Sequence, residues 1–352
     1  MTTFMWSAPA ATAGKAVRGV RHWRPIIVTC AVLASLAGCA RGPLHEKHPL
    51  QDVIVDAASG SVISRAHLVD EMAAAAVVYL GEKHDNTEHH RHQLWLLQSL
   101  VDSGQRPALG LEIFSVDQTA LLMEYVAGKP RHGSTQTPEE QLRAGLGWGP
   151  SWDESWPHYG PLLRLAREHA LAVFGIDLPT ALRRRISRGG IAGLTSVERA
   201  QVPEAGPATP SYRALMLENI KQSHCGHGSE SYLARLFENW QARNETMARA
   251  IAAAASGGDG APVLVVVGSG HVRHGQGVIQ RVRAHLPDAH QLNLGFQEVH
   301  PDHRDLDYYL SATGLTGIPA TPPHERLWLT ASDGLTAADA CARFGKVLKM
   351  HG

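Results

Sequence analysis

Four apolar runs in this 352-residue chain each end on a group that can do chemistry. Val77–Leu80 is followed by Gly81, Glu82, Lys83 and His84, and ALGL by Glu112. AVFGI is followed by Asp177, and VLVVV by Gly268, Ser269, Gly270 and His271. Two of the exits share the spelling Gly-x-x-His, and the other two deliver a carboxylate. Imidazole and carboxylate together bind first-row metals, and a carboxylate left free can take a proton from bound water. A glycine ahead of each histidine permits a close backbone approach. The set Glu82, His84, Glu112, Asp177 and His271 is therefore the candidate metal site. Glu82, His84, Glu112 and His271 are its catalytic members if the protein is a hydrolase.

Such a set needs a scaffold that brings the exits together. Near-continuous Val/Ile/Leu strands alternating with amphipathic helices predict an α/β fold, a mainly parallel sheet flanked by helices. In a parallel sheet the carboxyl ends of the strands open on one edge, where ligands bind. Strands are expected at 107–114, 171–178 and 262–267 as well as at Val77–Leu80. Helices are expected near 67–75, 88–102, 240–255 and 276–285. A hairpin is expected where Val53–Val55 and Ser61–Ile63 flank Ala57-Ala58-Ser59-Gly60. The stretch from about 180 to 240 carries helical pieces broken by Pro203, Pro207 and Pro210, which predicts a small helical cap subdomain. Lys83 and His89 to His92 read as a solvated helix start.

The ends suggest a destination. Arg18, Arg21 and Arg24 precede an apolar stretch from Ile26 to Gly38, the pattern of an export signal and too short for a bilayer span of about 20 residues. The stretch closes on Leu36-Ala37-Gly38-Cys39, which resembles a bacterial lipoprotein box, so Cys39 is the expected lipidation site. Ala40, not an acid, follows it, as in lipoproteins sorted to the outer membrane. The expected plan is a lipoprotein signal peptide over 1–38 and a tether over 39–52. An α/β domain over 53–300 follows, then an irregular extension over 301–352. Beyond residue 38, 29 Lys and Arg face 33 Asp and Glu, a balance that argues against nucleic acid as a partner. Two cysteines remain after Cys39, Cys225 and Cys341, enough for one bridge but not for a disulfide framework.

Beyond the exits, His224, Cys225 and His227 in SHCGHG could hold a metal, or Cys225 could simply pack as a small apolar group. Trp148, Trp152 and Trp156 could line a flat apolar pocket or pin a loop. No Gly-x-Ser-x-Gly elbow occurs, which argues against a serine triad.

GEKHDN, LEIF, HCGH with WQARNETMARAI, and VVVGSGHVRHGQGV occur in the order seen in the ChaN-like haem-binding uptake proteins of the Tiki/TraB group. Erythromycin esterases are relatives of that group with similar motifs, and the resemblance spans about residues 50 to 300. It implies haem or iron as the cofactor and a role in iron acquisition. His84, Glu112, His271, Arg243, Lys83 and His227 are then the candidate cofactor-binding residues, with Arg243 matching a basic helix position able to hold a propionate and Arg273 and Lys83 as further cations. Tyrosine ligation is described in such proteins, but no motif assigns a tyrosine here, so the axial ligand stays open. The partners so implied are haem, a membrane through the lipid anchor, a second copy around the haem, and an outer-membrane uptake machinery. The alternative reading is a metal-dependent hydrolase of peptides, esters or lactones built on the paired Gly-x-x-His centre, with another divalent metal.

Overall fold

A computed structural model describes residues 47–128, 136–147, 149, 153–258, 260–311, 322–332 and 341. The expected signal peptide, Cys39, Trp148 and Trp152 lie outside these residues.

Among these residues seven strands form one sheet. They are β1 (Ile54–Asp56), β2 (Val77–Glu82), β3 (Ala108–Ser115), β4 (Val173–Asp177), β5 (Val263–Gly268), β6 (Gln291–Glu298) and β7 (Arg326–Thr330). Their order across the sheet is β1-β7-β6-β2-β5-β3-β4. Every pair is parallel except β1 with β7 at the edge. β1 also carries the expected hairpin contact, an antiparallel bridge from Val55 to Val62.

Helices α1 (Arg65–Ala74), α2 (Thr87–Asp102), α3 (Thr119–Val126), α4 (Pro138–Gly145) and α5 (Trp156–Glu168) follow the first strands. Leu80, Leu111, Val266 and Leu294 from the sheet join Leu96, Leu100, Leu122, Leu162 and Leu163 from α2, α3 and α5 in one core. Successive strand residues alternate faces. Val77, Tyr79, Val265 and Val267 therefore point the other way, against Met247 and Ile251 of α9 (Glu230–Gly257) and Ile279 and Val282 of α10 (Val278–His285). Burial on both faces accounts for the apolar runs in sequence.

The expected cap is made of helices joined by loops, the longest over 201–209. It contains α6 (Thr180–Gly189), α7 (Ser196–Ala200), α8 (Pro210–Ser223) and the first half of α9. It has small cores of its own, one around Leu182, Ile186 and Val202, another around Tyr212, Met216, Ile220 and Phe237. A disulfide between Cys225, just past α8, and Cys341 ties the cap to the chain's far end.

The sheet draws on residues beyond 300, where sequence had suggested an irregular extension. β7 lies between β1 and β6, and a short helix α11 (Leu306–Leu310) precedes it. Among the described residues no helix is long and apolar enough to cross a membrane.

Candidate functional site

The four exits converge. β2, β5, β3 and β4 are neighbours, with Glu82 level with Gly268 and Leu111 level with Val266. Glu82, Glu112, Asp177 and His271 therefore meet on one rim, all buried, with His84 about half exposed above them.

Each carboxylate on the rim is matched to donors. Glu82 accepts from Tyr159 Oη on α5 (2.6 Å), from Gln93 Nε2 on α2 (2.5 Å) and from His84 Nδ1 (2.8 Å). Burial alone would raise its pKa, but the His84 bond and the nearby His90 and His84 charges bring it down to about 2. Burial likewise opposes the charge on His84, yet Glu82 and Glu112 raise its pKa to about 9, so the imidazole is protonated at neutral pH.

Glu112 accepts from the Gly268 amide (2.6 Å) and from Arg243 Nη2 (2.6 Å), and His271 Nε2 lies 3.3 Å away. Arg243, one face of α9, also grips Asp177 through Nε (2.9 Å) and Nη2 (3.0 Å). Arg183 on α6 adds a bond to Asp177 (2.6 Å). Against the cost of burial, His271, His84 and Arg243 hold Glu112 well below the usual carboxylate range. Burial lowers the His271 pKa, against the Glu112 carboxylate, which raises it. His271 Nδ1 donates to the Asn244 side-chain oxygen, 2.5 Å away.

Glu82, Glu112 and Asp177 face protonated His84, Arg183 and Arg243, and the Arg243 guanidinium fills the gap between two carboxylates. The donor set does not fit a metal ion, because each acid already holds a cation or several donors. Among the described residues the group of His, Asp and Glu spaced to hold a metal is a different one, Asp52, Glu88 and His92.

Gly268 is where the close approach is required. A Cβ there would sit 2.9 Å from His84 Nε2 and 3.3 Å from Glu112 Oε2.

Several candidates fall elsewhere. Arg243 is committed to Glu112 and Asp177 and so is not a free propionate cation. Lys83 pairs with Glu298 at the end of β6 (3.0 Å). His227 is exposed in the turn after α8, and the Cys225 sulfur is spent in the disulfide, which rules it out as a metal ligand. His89, His90 and His92 are buried, not solvated. His90 bonds Gln93 Oε1 and the His84 carbonyl, so this histidine run supports the rim from behind. Sequence reasoning also passed over Tyr159, Gln93, Asn244 and Arg183. His90 and Gln93 three apart on one helical face were the available signal.

A slot adjoins the rim. Trp240 stacks on His271, with ring centroids 3.8 Å apart. It also lines a cavity of about 400 Å³ between α8, α9 and the loop after β5. Leu215, Met216, Ile220 and Tyr212 form its apolar side, and Arg273 and His274 stand on the other. Trp240 Nε1 donates to Tyr212 Oη (3.0 Å). Arg273 is exposed and has no carboxylate within ion-pair distance among the described residues, and desolvation lowers its pKa. Trp156 lies apart from the slot, its indole donating to Glu139.

A search of curated proteins returned no match. Among solved structures, the ChaN of Campylobacter jejuni, described with cofacial haem binding, is similar with a TM-score of 0.58 at 17% identity, over 78% of this chain and 95% of that one. An erythromycin esterase, EreC, in its open conformation has a TM-score of 0.41 at 12% identity, over 70% and 76% of the two chains. The type III effector HopBA1 has a TM-score of 0.40 at 15% identity, over 76% and 92%. The family model described as haem-binding uptake, Tiki superfamily, ChaN, matches residues 68–282, well over half of the sequence. The chain belongs to the ChaN haem-binding uptake family of the Tiki superfamily.

Proposed function

We propose that this protein binds haem in the slot between the cap and the rim, as a membrane-anchored lipoprotein serving iron uptake. The observation that carries the reading is Arg273, a cation without an acidic partner among the described residues, across the slot from an apolar wall. A haem needs that pairing, an apolar slot for the macrocycle and a positive group for a propionate. Leu215, Ile220 and Trp240 would exclude water from the ring, and Arg273 would hold the carboxylate edge. The haem supplies an iron that takes an axial donor, for which the slot offers the Tyr212 hydroxyl, the Met216 thioether and the His274 imidazole. A cavity of about 400 Å³ encloses only part of a tetrapyrrole. Covering the remainder with a second copy would agree with the cofacial haems of the Campylobacter protein.

Anchoring at Cys39 rests on Leu36-Ala37-Gly38-Cys39 and the basic, apolar leader before it. A diacylated cysteine with an amide-linked chain holds a soluble domain firmly to a membrane. The expected anchor, with Ala40 after Cys39, supports outer-membrane placement, and the family supports an uptake machinery as partner. The metal-dependent hydrolase lacks comparable support, since Arg243 stands between the carboxylates that would hold the metal.

Hemin titrated into the full chain should shift its Soret band and saturate, and Arg273→Glu should weaken binding at least tenfold. Absence of a shift, or equal binding by the variant, would sink the reading. Palmitate labelling of the wild type but not of Cys39→Ser tests the anchor, and sedimentation with and without hemin tests the second copy.

A further inference from the structure

On the far side of α2 from the rim, Asp52, Glu88 and His92 bring ligand atoms within 4.8 Å of one another. Glu88 and His92 are four apart on α2 and so share a face. Asn86 caps that helix, accepting from the amides of Glu88 and His89. Asp52 is fixed by the sheet edge, since its amide donates to the Leu329 carbonyl (2.7 Å) and the Leu329 amide donates to the Val53 carbonyl (2.9 Å). All three side chains thus rise from anchored backbone.

His92 is the informative member. It is 2% exposed, and its ring is clamped against Trp328 with centroids 4.1 Å apart. Its Nε2 and Asp52 Oδ1 are both buried and neither makes a hydrogen bond. They face each other at 3.4 Å. Two ligands on a tetrahedral zinc, each about 2.0–2.1 Å from it, stand about 3.4 Å apart, so this pair already has the spacing of one edge of such a site. The Glu88 carboxylate, paired with Arg91, stands within 4.8 Å of both.

We propose that Asp52, Glu88 and His92 form a site for a first-row divalent cation of the zinc or cobalt type. One imidazole and two carboxylates suit such ions. Lys47 on Asp52, Arg91 on Glu88, and Arg65 over the Trp328 ring all stand nearby. They oppose any cation, and most of all a hard one held by charge alone, so calcium and magnesium are disfavoured. Lys47 and Arg91 are themselves more than half exposed and can swing into water when a metal displaces them. A bound ion would pin the turn before β1 to α2, the helix whose His90 and Gln93 brace the rim.

The test is calorimetric titration of zinc chloride into the full chain, freed of metal beforehand by a chelator. The wild type should take up one ion that Asp52→Asn and Glu88→Gln each bind at least tenfold more weakly, with metal-free melting temperatures recorded beside them. Lys47→Ala should bind the ion severalfold more tightly, a gain that a damaged fold does not produce. With cobalt, the wild type should show visible d–d bands that Asp52→Asn lacks. No zinc uptake by the wild type, or equal affinity across all four proteins, overturns the proposal and assigns any bound zinc to other histidines.

Discussion

The His271 imidazole lies flat on the Trp240 indole, their planes 11° apart, so the rim and the slot share one aromatic wall. Trp240 also holds Tyr212 in place through its indole N–H. Whatever enters the slot therefore rests on a residue that touches the Glu112 partner. Trp240→Ala is expected to weaken hemin binding at least tenfold and to raise the His271 pKa by admitting water. The Soret titration and histidine NMR titration check the two effects.

Arg243 is the keystone of the rim. Its removal leaves Glu112 and Asp177 buried near each other with their shared cation gone. Breaking a buried pair in this way costs about 3–5 kcal/mol. Arg243→Met should lower denaturant stability by that amount, and adding Glu112→Gln should recover part of it. A loss under 1 kcal/mol would mean that water reaches the rim freely.

Gly268→Ala should push the His84 ring away from Glu112, because the new methyl would lie 2.9 Å from Nε2. Since Glu112 and Glu82 together raise the His84 pKa, the variant should titrate below about 9 by NMR. An unchanged value would show that the Glu82 bond alone sets it.

Stability should peak near pH 6.5. Burial, with Arg273 and His274 nearby, lowers His324 to about 3. Its neutral form is favoured in the fold, so its contribution is full above about 6.5 and is lost as pH falls toward 3, at about 1.4 kcal/mol per pH unit. Glu82, lowered to about 2, adds to the acid loss between its ordinary 4.5 and 2. His84, raised to about 9, contributes fully below 6.5 and loses its contribution as pH rises through 9. Chemical denaturation from pH 3 to 10 checks the shape, and His324→Asn should flatten the acid limb.

The rim was legible in sequence because its strands are buried on both faces, which makes them continuous apolar runs, and because each run stops at an acid or a glycine. β6 was passed over although it alternates strictly. Leu292, Leu294 and Phe296 face one core, while the polar residues between them are buried too. Asn293 donates to the Val272 carbonyl and Gln291 accepts from Tyr79, partnerships made across the fold that no local pattern shows. Gly295 leaves room for His324, whose ring would meet an added Cβ at 2.1 Å. β7 is five residues long, and its place between β1 and β6 is set by pairing at long range. The slot was invisible for a related reason. Arg273 could be named as a cation, but that it has no carboxylate partner among the described residues is a statement about distant parts of the chain.

The central claim is a place, the slot walled by Trp240 and headed by Arg273. Anomalous diffraction at the iron edge from crystals of the hemin-loaded protein locates the metal directly. The account predicts iron inside that slot, within bonding distance of Tyr212, Met216 or His274, with a propionate on Arg273. Iron found over His84 and His271 on the rim, or on the surface away from both, would contradict it.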